Sequence, residues 1–320
     1  MNNSTYENNR TIDMGSVIYY YTSIALVPLF AFAFILNVFL LYVLLQEKVF
    51  QSITYKLIRI SVISDTMSSL TAVIGYSLVA QDFSYQSGKL LCQIIFNLAF
   101  TFNGISMNNL CLIAMDRYFA IVKPLSRFHR RYRRRIFFIE QIASWLLSIF
   151  YNLFLVPYIG GTPEDPTLCD VPEIDRYIAI PIIIIMFCIM QYILPCSLIA
   201  NIYWRIIYHQ KHYVRPGQNS RQPQERELKK KKFIKILITI TLWYVLTTWP
   251  FFAGITGMAV TRQSVLAIRK RNLAEFLFLF YSLGTSIGIT LINPFIYLKF
   301  DSNIRTKFFD VLLRKNKQGN

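Results

Sequence analysis

Charge is scarce in this chain: 16% of its 320 residues are Asp, Glu, Lys or Arg, against 54% hydrophobic. A soluble domain carries about 25% charged residues, so the deficit points away from an ordinary soluble enzyme and toward a membrane protein. Acid is scarcer than base, with 17 Asp and Glu against 34 Lys and Arg. A net charge of +17 would suggest nucleic acid in a soluble protein; here the placement of the basic residues decides the matter. Histidine is limited to His129, His209 and His212, all outside the long apolar runs. No nucleophile or metal-ligating set converges within a run, so the sequence does not read as that of an enzyme. No internal repeat is present, which weakens the case for an ion-coupled secondary transporter, the main rival reading.

What is abundant is apolar sequence in long stretches. Seven runs, near 18 to 45, 53 to 80, 90 to 122, 136 to 158, 177 to 204, 234 to 259 and 273 to 298, each suffice to cross a hydrocarbon core of about 30 Å. They lack the alternation of barrel strands, and backbone in lipid must bond to itself, so they are read as helices. The fold class is all-α: a seven-transmembrane helix bundle over 17–299, preceded by a polar tail, 1–16, and followed by a short amphipathic eighth helix and tail, 300–320. In that last segment Ile304, Phe308, Val311 and Leu312 are expected to share one face.

Basic residues fix the orientation. Lys48, Lys56 and Arg59, the cluster from Lys123 to Arg135, the run from Arg205 to Lys235, and the tail from Lys299 onward all fall on one side. That side is cytoplasmic, which puts the N-terminus outside a plasma-membrane, multi-pass protein whose inner loops attract anionic lipid. Sequons at Asn2, Asn3 and Asn9 lie in the outer tail and mark candidate glycosylation sites. Of five cysteines, Cys111, Cys188 and Cys196 sit inside spans, whereas Cys92 and Cys169 both lie on the oxidising side. A bridge between those two would pin the second outer loop over the mouth of the bundle.

Polar groups inside the spans need a reason. Asp65, midway down span 2, costs roughly 2.5 to 3.5 kcal/mol on insertion scales. Asn37, Ser106, Thr290 and Asn293 are its candidate partners, forming either an oxygen site for a monovalent cation such as Na+ or a hydrated hydrogen-bond network. Asp116 and Arg117 stand at the inner end of span 3, where a simple salt bridge would anchor the helix. Prolines at Pro195, Pro250 and Pro294 are expected to bend spans 5, 6 and 7.

The order of these features resembles the rhodopsin-like (class A) G-protein-coupled receptors across essentially the full chain. The matching residues are Asn37, "SVISD" ending at Asp65, Cys92, "DRY" at Asp116, Arg117 and Tyr118, Trp145, Cys169, Pro195 with Tyr203, and "NPFIY" from Asn293 and Pro294 to Tyr297. The resemblance implies a receptor for an extracellular ligand that activates a heterotrimeric G protein. It further implies that Asp116 restrains Arg117 at rest, that Tyr203 and Tyr297 support the open form, and that Leu125 enters a G-protein pocket. Departures stand beside it: Thr248 occupies the usual Trp position two residues before Pro250, Tyr244 replaces a Phe, and Lys229 to Lys232 stand where an acid would lock Arg117. The last of these predicts raised basal activity, unless Glu225 or Glu227 supplies the acid instead.

Helical phase and the resemblance together place Tyr76, Phe96, Ala99, Phe100, Asn103, Phe187, Gln191, Phe251, Phe252 and Ile255 around an outer pocket. Ala99 stands where amine receptors carry an Asp, so an amine lacks its counter-ion. Retinal is excluded because span 7 offers no Schiff-base lysine before Lys299. The second outer loop holds Glu164, Asp165, Asp170, Glu173 and Asp175; the third holds Arg262, Arg269, Lys270 and Arg271. The acidic loop favours a basic peptide ligand, with a lipid second, unless the two loops neutralise each other.

Overall fold

The computed structural model of the protein describes residues 14–81, 83–123, 127–212 and 221–317. Among these, ten α-helices follow in sequence: α1 Met14–Gln46, α2 Ile53–Leu78, α3 Tyr85–Ile121, α4 Arg127–Leu155, α5 Ala179–Cys188, α6 Leu194–His212, α7 Arg221–Thr261, α8 Val265–Arg271, α9 Leu273–Phe300 and α10 Ser302–Lys317. Seven helical segments are long and apolar enough to cross a membrane; α5 and α6 are two parts of one of them, and α8 and α10 are not spans. Local signals set several starts. Ser52 accepts from the Tyr55 amide at the head of α2, Ser84 from the Ser87 amide at α3, and Asn272 from the Ala274 and Glu275 amides at α9.

The fifth span is not a simple bent helix. A π-helical turn, Ile189–Ile193, joins α5 to α6 immediately before Pro195. Pro195 has no N–H for the carbonyl of Gln191 and its ring crowds that group, so the chain widens by one residue there rather than merely kinking. The widening rotates every side chain on the outer side of it relative to ideal helical phase. Pro250 and Pro294 lie inside α7 and α9.

Apolar packing divides into an inner and an outer cluster. The inner one gathers Leu40, Leu57, Ile113, Tyr203, Tyr244 and Tyr297; the outer one gathers Phe30, Phe100, Phe187, Phe251 and Phe276. Large apolar side chains also cover the outside of the bundle, notably Phe32 and Ile35 on α1 and Phe138, Leu146, Phe150 and Phe154 on α4. An apolar exterior on this scale belongs against hydrocarbon.

Helix α10 docks beneath α1. Phe308 meets Phe39 edge-on at 4.7 Å, Ile304 is fully buried, and Lys307 pairs with Glu47 at 3.2 Å. Leu312 does not reach the bundle and is exposed, along with Phe309 and Leu313. The contact with the bundle follows 304, 308 and 311, and Leu312 sits about 100° round the helix from Val311.

Candidate functional site

The outer halves of the helices enclose a cavity of about 180 Å³. Tyr76, Phe96, Ala99, Phe100, Phe187, Phe251 and Ile255 line it, joined by Tyr19, Leu168, Phe276 and Phe280, which helical phase had not singled out. Phe100 is the hub of its aromatic wall, with ring centroids 5.1 Å from Phe96, 5.0 Å from Phe187 and 5.7 Å from Phe251. Three residues expected in the lining are placed elsewhere. Phe252, next to Phe251, turns to the fifth span and stacks on Tyr192 at 4.7 Å. Asn103 lies deeper and accepts a hydrogen bond from the Tyr244 hydroxyl at 2.5 Å. Gln191, rotated by the π turn, packs against α3 so closely that a Cβ on Gly104 would fall 2.5 Å from its Oε1.

The second outer loop is the ceiling of the cavity. The Cys92–Cys169 disulfide ties it to α3, and Gly160 and Asp170 exchange backbone hydrogen bonds of 2.9 Å across it. Tyr19 on α1 donates to the Thr167 carbonyl at 3.0 Å. Gly161 and Gly88 flank Pro166, and a Cβ on either would approach its carbonyl oxygen to 2.4 Å. Only glycine allows that approach.

The acids of this loop are engaged by the third loop. Asp165 pairs with Arg269 at 2.7 Å and Glu164 with Lys270. Asp170 accepts from the amides of Val171 at 2.6 Å, Val265 at 2.7 Å and Leu266 at 2.9 Å. Burial raises its carboxyl above the ordinary aspartate range, outweighing these amide donors and Ser264. Three of the five acids are thus spent on holding two loops together.

Below the cavity, Tyr244 on α7 reaches Asn103 on α3, while the Thr248 hydroxyl folds back to the Tyr244 carbonyl at 2.7 Å. The position that lacks its usual Trp therefore carries a side chain bonded to its own helix. Deeper still, Asp65 accepts from Asn293 Nδ2 at 2.9 Å and from Ser106 Oγ at 3.4 Å. Asn37 does not join this set: its amide donates to the carbonyls of Ala33 at 2.9 Å and Thr290 at 2.8 Å. Thr290 Oγ1 and Asn293 Oδ1 are buried oxygens with no hydrogen-bond partner among the described residues.

At the inner end of α3, Arg117 Nη2 donates to Asp116 Oδ2 at 3.0 Å. Tyr203 hydrogen-bonds the Thr241 side chain on α7, and Tyr297 is buried on α9. A polar seam missed by sequence reading joins α3 to α4: Asn152 donates to Thr101 at 2.8 Å, Asn108 to Ser148 at 3.4 Å and Gln141 to Asn109 at 2.5 Å. Spacing at i and i+7, Thr101 with Asn108 on one span and Gln141 with Ser148 on the other, was its available signal. Leu125, Asn2, Asn3 and Asn9 lie outside the described residues, as do the side chains of Glu225, Glu227 and Lys229 to Lys232.

With this geometry in place, the family description "7 transmembrane receptor (rhodopsin family)" matches residues 36–297. The chain belongs to that family. The receptor is 27% identical over 238 residues to "G-protein coupled receptor homolog C3" of Swinepox virus (strain Kasza), covering 70% of this chain and 82% of the viral one. It is 24% identical over 321 residues to the 5-hydroxytryptamine receptor 5B of Rattus norvegicus, covering 88% of this chain and 82% of that receptor. The crystal structure of squid rhodopsin superposes with a TM-score of 0.75 at 17% identity, covering 93% of this chain and 86% of the other. That likeness concerns the fold. The receptor shares the seven-span bundle and the eighth helix, and membership implies ligand binding and G-protein coupling.

Proposed function

We propose that this receptor sits in the plasma membrane with its N-terminus outside, and that it binds an apolar, uncharged ligand carrying one hydrogen-bond acceptor. It then passes the signal to a heterotrimeric G protein through Arg117. The observation that carries this reading is the cavity itself. Its lining is almost wholly apolar, and Tyr76, 8% exposed, has a hydroxyl with no hydrogen-bond partner among the described residues. A buried donor without a partner costs about 1 to 3 kcal/mol, which a ligand acceptor would recover.

The 5-hydroxytryptamine receptor among the relatives is named for an amine, but Ala99 supplies no counter-ion here, and the carboxylate of Asp170 is engaged by backbone amides. A basic peptide loses most of its steering field because three of the five acids of the second loop are held by the third. A lipid-like molecule is therefore favoured over the peptide that the loop composition alone suggested. A cavity of about 150 Å³ holds a single aromatic ring, so one of about 180 Å³ takes a slender molecule or the apolar end of a longer one. The test is a thermal-stability screen of neutral lipids on purified receptor. A true ligand stabilises the wild type and binds Tyr76→Phe about fivefold to tenfold more weakly; equal binding to both contradicts the assignment.

The oxygens about Asp65 fit a hard monovalent cation by type, since Asp65, Ser106, Thr290 and Asn293 offer carboxylate, hydroxyl and amide oxygen. Under this reading Na+ binds the resting form and raises its melting temperature above that in potassium or choline. Asp65→Asn abolishes the difference.

A further inference from the structure

On the inner side of the bundle, away from the ligand cavity, a crevice of about 500 Å³ opens between the ends of α3 and α6. Tyr118 stands on one wall, and Trp204, Arg205, Tyr208, His209 and His212 on the other. Trp204, Tyr208 and His212 recur every fourth residue and so share one face of α6. Their rings form a ladder, with centroids 6.3 Å apart for the first pair and 4.1 Å for the second. His212 Nδ1 lies 2.9 Å from the Tyr208 carbonyl, which can only accept, so Nδ1 carries a proton and Nε2 is left for another partner. Trp204 is 68% exposed and Tyr208 57%. Exposed Trp and Tyr at the end of a span belong at headgroup level. Among the described residues the lining contains one arginine and two histidines and no carboxylate.

We propose that this crevice binds the headgroup of an anionic phospholipid of the inner leaflet. Charge complementarity names the occupant: a guanidinium fork matches a phosphate diester, basic pockets between spans on the cytoplasmic side take anionic headgroups, and the cytoplasmic leaflet carries the anionic lipid. The aromatic ladder lies beside the upper acyl chains and the glycerol backbone. A lipid held here clasps α3 to α6 next to Asp116 and Arg117, so lipid composition acts on the signalling face.

The test uses full-length receptor in phosphatidylcholine vesicles doped with lipids brominated on the acyl chain, which quench tryptophan only on contact. The chain has four tryptophans, so the signal of Trp204 is taken as the difference between wild type and Trp204→Phe. Brominated phosphatidylserine is expected to quench the Trp204 component at a several-fold lower mole fraction than brominated phosphatidylcholine. Arg205→Gln with His212→Gln should remove that preference while leaving quenching by phosphatidylcholine intact, which shows the helix still in place. Arg205→Lys should keep part of it, and Lys229→Gln with Lys230→Gln should keep it whole. Equal quenching by the two lipids overturns the proposal. So does a preference that survives the Arg205 and His212 changes, or one lost equally with Lys229 and Lys230, which would be diffuse attraction to the basic loop. Displacement by soluble glycerophosphoserine also overturns it, by showing a site for a free headgroup. The vesicles carry the lipid in both leaflets, so the outcome does not depend on the orientation or ligand proposed above.

Discussion

Tyr244→Phe is the substitution that most sharply probes the layer between cavity and signalling face. The ring is 1% exposed, and its hydroxyl donates to Asn103 Oδ1 at 2.5 Å, joining α7 to α3. The proposed activation moves the inner end of the sixth span, here α7, outward, and such a motion would separate the two groups. Removing the hydroxyl forfeits a hydrogen bond worth about 0.5 to 1.5 kcal/mol net and leaves the Asn103 oxygen buried without its donor, at about 1 to 3 kcal/mol. The penalty falls on the closed form, because opening admits water to the acceptor. A differential of about 1.4 kcal/mol shifts a two-state population tenfold, so ligand-independent nucleotide exchange should rise by up to about that factor. Asn103→Ala should raise it comparably, and the double variant should add little beyond either single one. Unchanged exchange in Tyr244→Phe at equal surface level, or fully additive effects, refutes the reasoning.

Other outcomes follow from the loops. Asp170→Ala strips the acceptor from the Val265 and Leu266 amides, so hydrogen exchange at those two positions should accelerate and the melting temperature fall, for a loss of about 2 kcal/mol. Because burial raises the Asp170 carboxyl, the folded protein holds that proton more tightly than the unfolded chain. The contribution of this group to stability is therefore present at low pH and lost as pH rises from about 4 through its raised value. The stability difference between wild type and Asp170→Asn should widen in favour of wild type as pH falls through that window. Arg262, at φ 53°, closes α7 in a left-handed turn with the Gln263 amide on the Met258 carbonyl. Arg262→Gly should raise the melting temperature, by about 1 kcal/mol of relieved strain.

Long apolar runs revealed the bundle because a hydrocarbon core demands length and self-bonded backbone, and both are countable in a sequence. Asp65 near Asn293 was legible for a related reason: a buried charge must have partners, and few polar residues in the spans were available. Gln191 was misplaced because the π turn before Pro195 breaks the helical phase on which its placement rested, and Phe252, on α7, because its ring turns to the fifth span and stacks on Tyr192. The pairing of Asp165 with Arg269, 104 residues apart, was one of two readings left open by composition, and three-dimensional proximity decided it. Tyr244 was visible as an oddity, but its partner Asn103, on another helix, had been assigned to the pocket.

The central claim is that Asp116 holds Arg117 at rest, at 3.0 Å, and that releasing it engages a G protein. The most direct measurement is guanine-nucleotide exchange on a panel of heterotrimeric G proteins, in membranes bearing the wild type, Asp116→Asn or Arg117→Ala at matched surface levels. The account predicts that Asp116→Asn raises exchange on one class and that Arg117→Ala lowers it on the same class. Exchange unmoved by either substitution would contradict it.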